Sequence, residues 1–306
     1  MAAGLDVVTG GAGFIGSHVA EELLRLGRRV RVVDDFSTGR RSNVPGGVEL
    51  VKGDVNDEAA EAVRGAEVVY HLAALPSVPR SIDRPLECHR ATARGTIEVL
   101  AAAEKAGVRR VVFASSSSVY GDSPVQPKRE DLPPLPLSPY AAAKLAGELY
   151  ARSWAALTRL ETVCLRFFNV YGPRQDPDSP YAAVIPIFIR CLLETRPMPV
   201  YGDGLQTRDF TYVGDVVRGL LAAAAAPGVS GRVYNLADGR PVTVLELGRT
   251  LARLAGVEAR FDHRPPRAGD VRASHADLSA TRRDLGVAPA MPLEEGLRRT
   301  WEGAAR

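Results

Sequence analysis

Tyr140 and Lys144 stand four residues apart in the run Ser138-Pro139-Tyr140-Ala141-Ala142-Ala143-Lys144. A serine and a proline followed by good helix formers through Ala156 open a helix there, which puts the phenol and the ammonium on one face. An unperturbed tyrosine titrates near pH 10, and nearby positive charge favours its phenolate, so the pair is equipped to move a proton. Tyr-x-x-x-Lys recurs by accident in many chains, and its weight here comes from what precedes it. The stretch Thr9-Gly10-Gly11-Ala12-Gly13-Phe14-Ile15-Gly16-Ser17-His18 places glycines between an apolar strand pattern and a helical one. Gly10, Gly13 and Gly16 let the chain turn tightly, bring backbone against a pyrophosphate and pack helix on strand, with the anion at the helix N-terminus. Asp34 closes the next strand pattern, 24 residues past Gly10, where an acid can bond the adenosine ribose hydroxyls. Together these residues suggest proton transfer beside a bound dinucleotide.

The elements that must hold these groups alternate regularly. After Asp34 comes a polar loop, then a short strand pattern at 48–51 that leads into Asp54. That aspartate is placed either to reach an adenine amino group or to form the turn. Glu67 to Ala74 reads as a strand running into small residues, Pro85 to Gly107 as a helix, and Val108 to Phe113 as a strand ending in Ser115, Ser116, Ser117 and Ser118. Strands alternating with helices give an α/β fold with a doubly wound parallel sheet, the Rossmann arrangement. Prolines at 173, 177, 180, 186, 197 and 199 make the last third less regular. It reads as a smaller C-terminal α/β substrate-binding domain, with strands at 206–212 and 233–236 and helices at 213–226 and 243–255. The expected division is residues 1–168 plus about 211–240 for the dinucleotide, and about 169–210 plus 241–306 for the substrate.

Composition excludes several classes. Hydrophobic residues make up 45%, charged residues 25%, and the net charge is +3, ordinary values for a soluble globular chain that point to neither nucleic acid nor a membrane surface. Cys88, Cys164 and Cys191 are odd in number and widely spaced, fitting reduced core thiols rather than a disulfide framework or metal site. The five histidines form no ligand-spaced cluster. The first strand pattern begins too early to leave room for a secretory leader, and the apolar run at 220–226 is too short to span a bilayer. A cytoplasmic enzyme is expected.

By its motifs the chain resembles the extended short-chain dehydrogenase/reductase family, and within it the NAD-dependent nucleotide-sugar epimerases and dehydratases of the UDP-glucose 4-epimerase type. The motifs are the glycine run at 9–16, His71-Leu72-Ala73-Ala74, Ser115-Ser116-Ser117-Ser118-Val119-Tyr120-Gly121, Tyr140 to Lys144, and Arg166-Phe167-Phe168-Asn169-Val170-Tyr171-Gly172-Pro173. The resemblance implies that Tyr140 is the catalytic base, that Lys144 holds the nicotinamide ribose and lowers the tyrosine pKa, and that a serine at the end of the strand pattern at 108–113, Ser116 ahead of Ser115 or Ser117, bonds the sugar hydroxyl. It implies an NAD site built from Gly10, Gly13, Phe14, Ile15, Gly16, Asp34, Asp35, Asp54 and Val55, with Leu72, Ala73, Ala74, Tyr140 and Lys144 on the nicotinamide side. Asn169, Arg208, Arg267 and Asp270 would lie along the nucleotide diphosphate, beside Ser116, Tyr140 and Ser274 in the substrate set. Asp34 would repel a 2′-phosphate and so favour NAD over NADP, an effect that Arg40 and Arg41 partly offset. A homodimer is implied too, through the helices at 85–107 and 138–156.

Departures narrow the chemistry. Dehydratases of this family carry an acid pair where Ser117 and Ser118 stand, and UDP-glucuronate decarboxylases a glutamate at Ser118; without those acids the usual proton-transfer groups are missing. Thr92 replaces a frequent asparagine, altering a polar contact near the cofactor. Ser274 falls where hexose-only epimerases carry a tyrosine, so UDP-N-acetylhexosamines are expected as substrates beside UDP-glucose and UDP-galactose, through a transient 4-keto sugar. Asp176 stands where uronate epimerases often have arginine, which disfavours UDP-glucuronate. Alternatives are a UDP-glucuronate 4-epimerase, a net nucleotide-sugar oxidoreductase and a non-catalytic dinucleotide sensor.

Overall fold

The computed structural model describes residues 4–176, 182–266 and 271–304. Its first half alternates β1 (Leu5–Thr9), α1 (Phe14–Arg25), β2 (Arg29–Asp34), β3 (Glu49–Lys52), α2 (Val55–Ala62) and β4 (Ala66–His71). Two short helices follow, α3 (Val78–Asp83) and α4 (Pro85–His89), then α5 (Gly95–Lys105), β5 (Arg110–Ser116), α6 (Pro139–Leu157) and β6 (Glu161–Phe167). The remainder contains β7 (Val170–Tyr171), α7 (Val184–Leu193), β8 (Met198–Tyr201), β9 (Thr207–Asp209), β10 (Thr211–Tyr212), α8 (Val213–Ala225) and β11 (Arg232–Leu236). It ends with β12 (Pro241–Thr243), α9 (Val244–Leu254), β13 (Phe261–Arg264), β14 (Ala273–Ser274) and α10 (Leu293–Ala304).

Seven strands form one sheet in the order β11-β6-β5-β4-β1-β2-β3, and every neighbouring pair is parallel. Successive side chains on a strand point to opposite faces, so a sheet covered on both sides needs apolar residues at consecutive positions. Val8, Val32, Val68 and Val112 accordingly join a core with Val19 and Leu23 of α1 and Val216 and Leu220 of α8. Their neighbours Val7, Val33, Val69 and Val111 join another with Ala59 of α2 and Val99 and Leu100 of α5. Strand order reverses between β1 and β4, which opens a crevice at the carboxyl ends of the strands.

The helix expected over 85–107 is broken. Residues 90–94 form a π turn between α4 and α5, and at Gly95 a Cβ would come 3.0 Å from Val55. The local widening lets α5 lie close on α2.

The proline-rich third is more regular than expected. Pro186 falls in the first turn of α7, where no intrahelical N–H is lost. Ile185, Phe188 and Ile189 of that helix pack with Val200, Leu247, Leu251 and Leu297 in a separate core. The single strand expected at 206–212 is two short ones, because Phe210 turns into that core. Three small sheets, β10-β7, β12-β9-β14 and β13-β8, carry this part of the chain over the carboxyl edge of the large sheet. No helix among the described residues is long and apolar enough to cross a membrane.

Candidate active site

The glycine turn after β1 works by close approach. Gly10 has φ +69°, and a Cβ there would sit 2.9 Å from the Ala73 nitrogen; at Gly16 it would sit 2.2 Å from the Gly10 oxygen. α1 starts at Gly13 with no side chain capping it, so its first-turn N–H groups remain for an anion. Asp34 accepts the Ala12 N–H at 2.9 Å and the Phe36 N–H at 2.8 Å. Burial pushes its carboxyl up, and those two hydrogen bonds pull it down. A carboxylate has about four acceptor positions, so Asp34 can tie the turn and still take ribose hydroxyls. Asp35 holds its own turn through the Ser37 N–H. Asp54 caps α2 by accepting the Asn56 N–H and pairs with Arg90 at 3.1 Å, so the turn-forming role left open by the sequence is filled.

These residues line one end of a cleft of about 690 Å³, whose wall includes Gly10, Gly13, Phe14, Ile15, Gly16, Asp34, Asp35, Asp54 and Val55. The middle is made by Leu72, Ala73 and Ala74, and the far end by Ser116, Tyr140, Lys144, Asn169, Arg208 and Ser274. The uncapped helix end, the two close glycine contacts and the acid at Asp34 fit a dinucleotide.

Under the middle of the cleft lies a fully satisfied buried chain. Thr96 Oγ1 donates to the Thr92 carbonyl at 2.6 Å, so it accepts from His71 Nε2 at 3.2 Å. With Nε2 carrying the proton, Nδ1 accepts from Thr9 Oγ1 at 2.7 Å. Thr9 Oγ1 in turn accepts the N–H groups of Leu72 and Ala73. Burial, helped by the Lys144 charge, pushes His71 down to about 3, so the ring stays neutral and the directions stay set. Replacing His71 with leucine leaves the Thr9 hydroxyl hydrogen without its acceptor, while Thr96 keeps its bond to the Thr92 carbonyl. We expect a loss of about 1–3 kcal/mol in urea unfolding, roughly the cost of one buried orphan.

At the far end, Ser118 Oγ donates to Ser116 Oγ at 2.9 Å and the Ser118 N–H does so at 3.1 Å. The Ser116 hydrogen is thereby left for the Tyr140 oxygen, whose ionisation it favours. Lys144 is buried, donates to the Ala114 carbonyl at 2.7 Å and lies 6.0 Å from the Tyr140 ring centre. Burial lowers its ammonium to about 8, against the pull of Glu148. Tyr140 differs from expectation. Burial raises it to about 12, against the pull of the Ser116 hydroxyl, because a phenolate loses its solvation in this wall.

Asn169 adopts φ +26°, and its amide donates to the Asp209 carbonyl at 3.1 Å. Arg208 on β9 pairs in register with Ser274 on β14. Arg267 and Asp270 lie outside the described residues. Sequence reasoning missed Asp209, which anchors β9 by accepting the N–H groups of Asp238, Gly239 and Ala276; burial raises it to about 6 despite those bonds. Its only signal was its place beside Arg208. Asp176 meets Arg40 at 2.7 Å, so its charge is matched by a guanidinium from the loop after Asp34.

A family model described as the NAD dependent epimerase/dehydratase family matches residues 7–237. The chain belongs to that family. It is 40% identical to the UDP-glucose 4-epimerase of Mycolicibacterium smegmatis, over 97% of each chain. A UDP-N-acetylglucosamine 4-epimerase from Methanobrevibacter ruminantium, solved with UDP-N-acetylmuramic acid, superimposes with a TM-score of 0.95 at 35% identity, covering 100% of this chain and 99% of the other. MoeE5, solved with NAD and either UDP-glucose or UDP-glucuronic acid, is 40% identical over 99% of each chain, with TM-scores of 0.91 and 0.90. The chain is thus an NAD-dependent nucleotide-sugar epimerase, built on the doubly wound parallel sheet that its alternating strands and helices predicted.

Proposed function

We propose that this enzyme inverts C4 of UDP-hexoses, interconverting UDP-glucose with UDP-galactose and UDP-N-acetylglucosamine with UDP-N-acetylgalactosamine. One arrangement carries the reading: the Ser116 hydroxyl, which favours the Tyr140 phenolate, beside buried Lys144, in the same cleft as Arg208 and the small Ser274. In this reading Tyr140 starts as the phenolate and takes the proton from the sugar O4, while Ser116 holds the O4 group. Lys144 supplies positive charge that favours the phenolate, while Arg208 and Asn169 hold the diphosphate. Bound NAD would supply the two-electron oxidant for C4 and, once reduced, the hydride that restores it, and the glycine turn and Asp34 would keep it in place. Arg40, engaged with Asp176, is drawn from any 2′-phosphate, which supports NAD over NADP.

Ser274→Tyr is expected to remove turnover of UDP-N-acetylglucosamine while sparing that of UDP-glucose, read from paired NMR time courses. Loss of both, or of neither, counts against a gate at this position. A second reading, UDP-glucuronate as substrate, gains support from the Arg40 contact, since the matched Asp176 charge no longer argues strongly against a sugar carboxylate. Incubation with UDP-glucose, UDP-N-acetylglucosamine and UDP-glucuronate, with products followed by NMR, ranks the three. Accumulation of free NADH would instead mark a net oxidoreductase.

The proposed assembly is a homodimer. Ile82 on α3, Leu86 on α4 and Leu149 on α6 are exposed apolar side chains on helices close to one another, and such a patch suits burial against a second copy. The proposed division keeps residues 1–168 and about 211–240 with the cofactor, and about 169–210 and 241–306 with the sugar nucleotide. Three buried free thiols suit a reducing cytoplasm.

A further inference from the structure

The inner face of α6 meets the end of β5 at successive points. Lys144 donates to the Ala114 carbonyl at 2.7 Å, Tyr140 meets the Ser116 hydroxyl, which favours its ionisation, and Glu148, four residues beyond Lys144, receives the Ser115 hydroxyl at 2.5 Å. Glu148 is buried and is gripped on both oxygens by Arg166, Nε at 2.9 Å and Nη2 at 2.8 Å. Arg166 is itself the register partner of Ser115 on β6. It lies 4.6 Å from the Tyr120 ring centre, and the Tyr120 hydroxyl donates to Asn235 on β11 at 2.6 Å. One carboxylate therefore ties α6 to β5 and β6 directly, and Arg166 and Tyr120 extend the link to β11.

Buried ion pairs contribute little net folding energy, because desolvation of both charges offsets their attraction. A folding role alone does not explain placing this one directly behind the reacting groups. We propose that Glu148 is a positioning residue: held by Arg166 and Ser115, it sets the rotation of α6 on β5 so that Tyr140 and Lys144 stand opposite Ser116. The inference rests on the catalytic roles proposed above.

Besides Glu148, the titratable groups facing Lys144 among the described residues are Tyr140 on its own helix, Cys88 on α4 and His71 on β4. Glu148 is the only carboxylate among these described groups. Its charge, together with Cys88, opposes the burial that lowers the Lys144 ammonium. Removing it lets that ammonium deprotonate at lower pH.

The test compares Glu148→Gln and Ser115→Ala with the parent enzyme, measuring kcat and KM for UDP-glucose from neutral to alkaline pH, bound NAD and circular dichroism. Glu148→Gln is expected to keep its fold, its NAD and a KM within about twofold. Its kcat should fall about 30-fold, since misplacement of about 1 Å costs up to 100-fold. The alkaline limb of kcat should move roughly one pH unit toward acid as Lys144 loses its anion. Ser115→Ala keeps both charges and cuts only the link to β5, so kcat should fall about fivefold with the limb unmoved. A folded Glu148→Gln enzyme with parental kcat and an unmoved limb overturns the proposal. If that variant does not fold, Ser115→Ala decides alone, and parental kcat there overturns it. Tyr140→Phe run in parallel separates the two readings: if it stays active the catalytic assignment has failed, whereas if it is inactive and Glu148→Gln is normal, only the positioning role has failed.

Discussion

Tyr140→Phe is expected to lower kcat on the order of 1,000-fold, within the range for loss of a general base, while the protein keeps its fold and its NAD. The ring sits half-buried in the cleft wall, and phenylalanine fills the same volume, so little packing is lost. What disappears is the oxygen that faces the Ser116 hydroxyl. Burial holds this phenol near 12 in the protein by itself, with Lys144 already in place, so it ionises readily only with further positive charge beside it. Bound oxidised nicotinamide would supply that charge. The measurement is NMR epimerisation of UDP-glucose together with the NAD content of the purified variant. Near-parental turnover would remove Tyr140 from the mechanism.

The second large effect is expected at Lys144→Met, with kcat reduced about 100-fold or more through loss of the charge that stabilises the phenolate. The parent and the variant should also differ in pH dependence. Burial brings Lys144 from the ordinary 10.5 down to about 8, so its charge, and with it kcat, declines as pH rises through about 8. The variant should lack that limb. Stability runs the opposite way. The folded protein releases the Lys144 proton more readily than the unfolded chain, so the protonated group opposes folding below about pH 8, and this penalty fades as pH rises toward 10.5. Methionine carries no such penalty, although it leaves the Ala114 carbonyl without its donor. Thermal unfolding at neutral pH should therefore show the inactive variant at least as stable as the parent. A large fall in Tm with retained activity would mean that Lys144 serves the fold rather than the chemistry.

The parallel sheet and the glycine turn were legible because their signals are local. Consecutive valines on β1, β2 and β5 report strands covered on both faces, and Gly10 and Gly16 report approaches that no Cβ survives. Tyr140 and Lys144 could be read as a pair because helical spacing alone puts them on one face. The proline-rich third was misread because a proline signals a break whether it ends a helix or, like Pro186, occupies the first turn of one. Glu148 carried a signal, four residues past Lys144, but its meaning depended on Arg166 and Ser115 arriving from other strands.

The sequence by itself determined the alternation of strands and helices in the first half, the dinucleotide turn, the acid at Asp34 and the Tyr140 and Lys144 pair, since each follows from spacing within one short segment, while Ser116 came from the family resemblance of its motif. Tertiary structure alone decided the charges and directions of these groups. Burial sets Tyr140 near 12, Lys144 near 8 and His71 near 3. Contacts across the fold make Asp54 a helix cap, match Asp176 with Arg40 and run the hydrogen-bond chain from Thr96 through His71 to Thr9. The physical reason is that desolvation and partner choice depend on which distant segments meet around a group, and no local pattern in the chain encodes that.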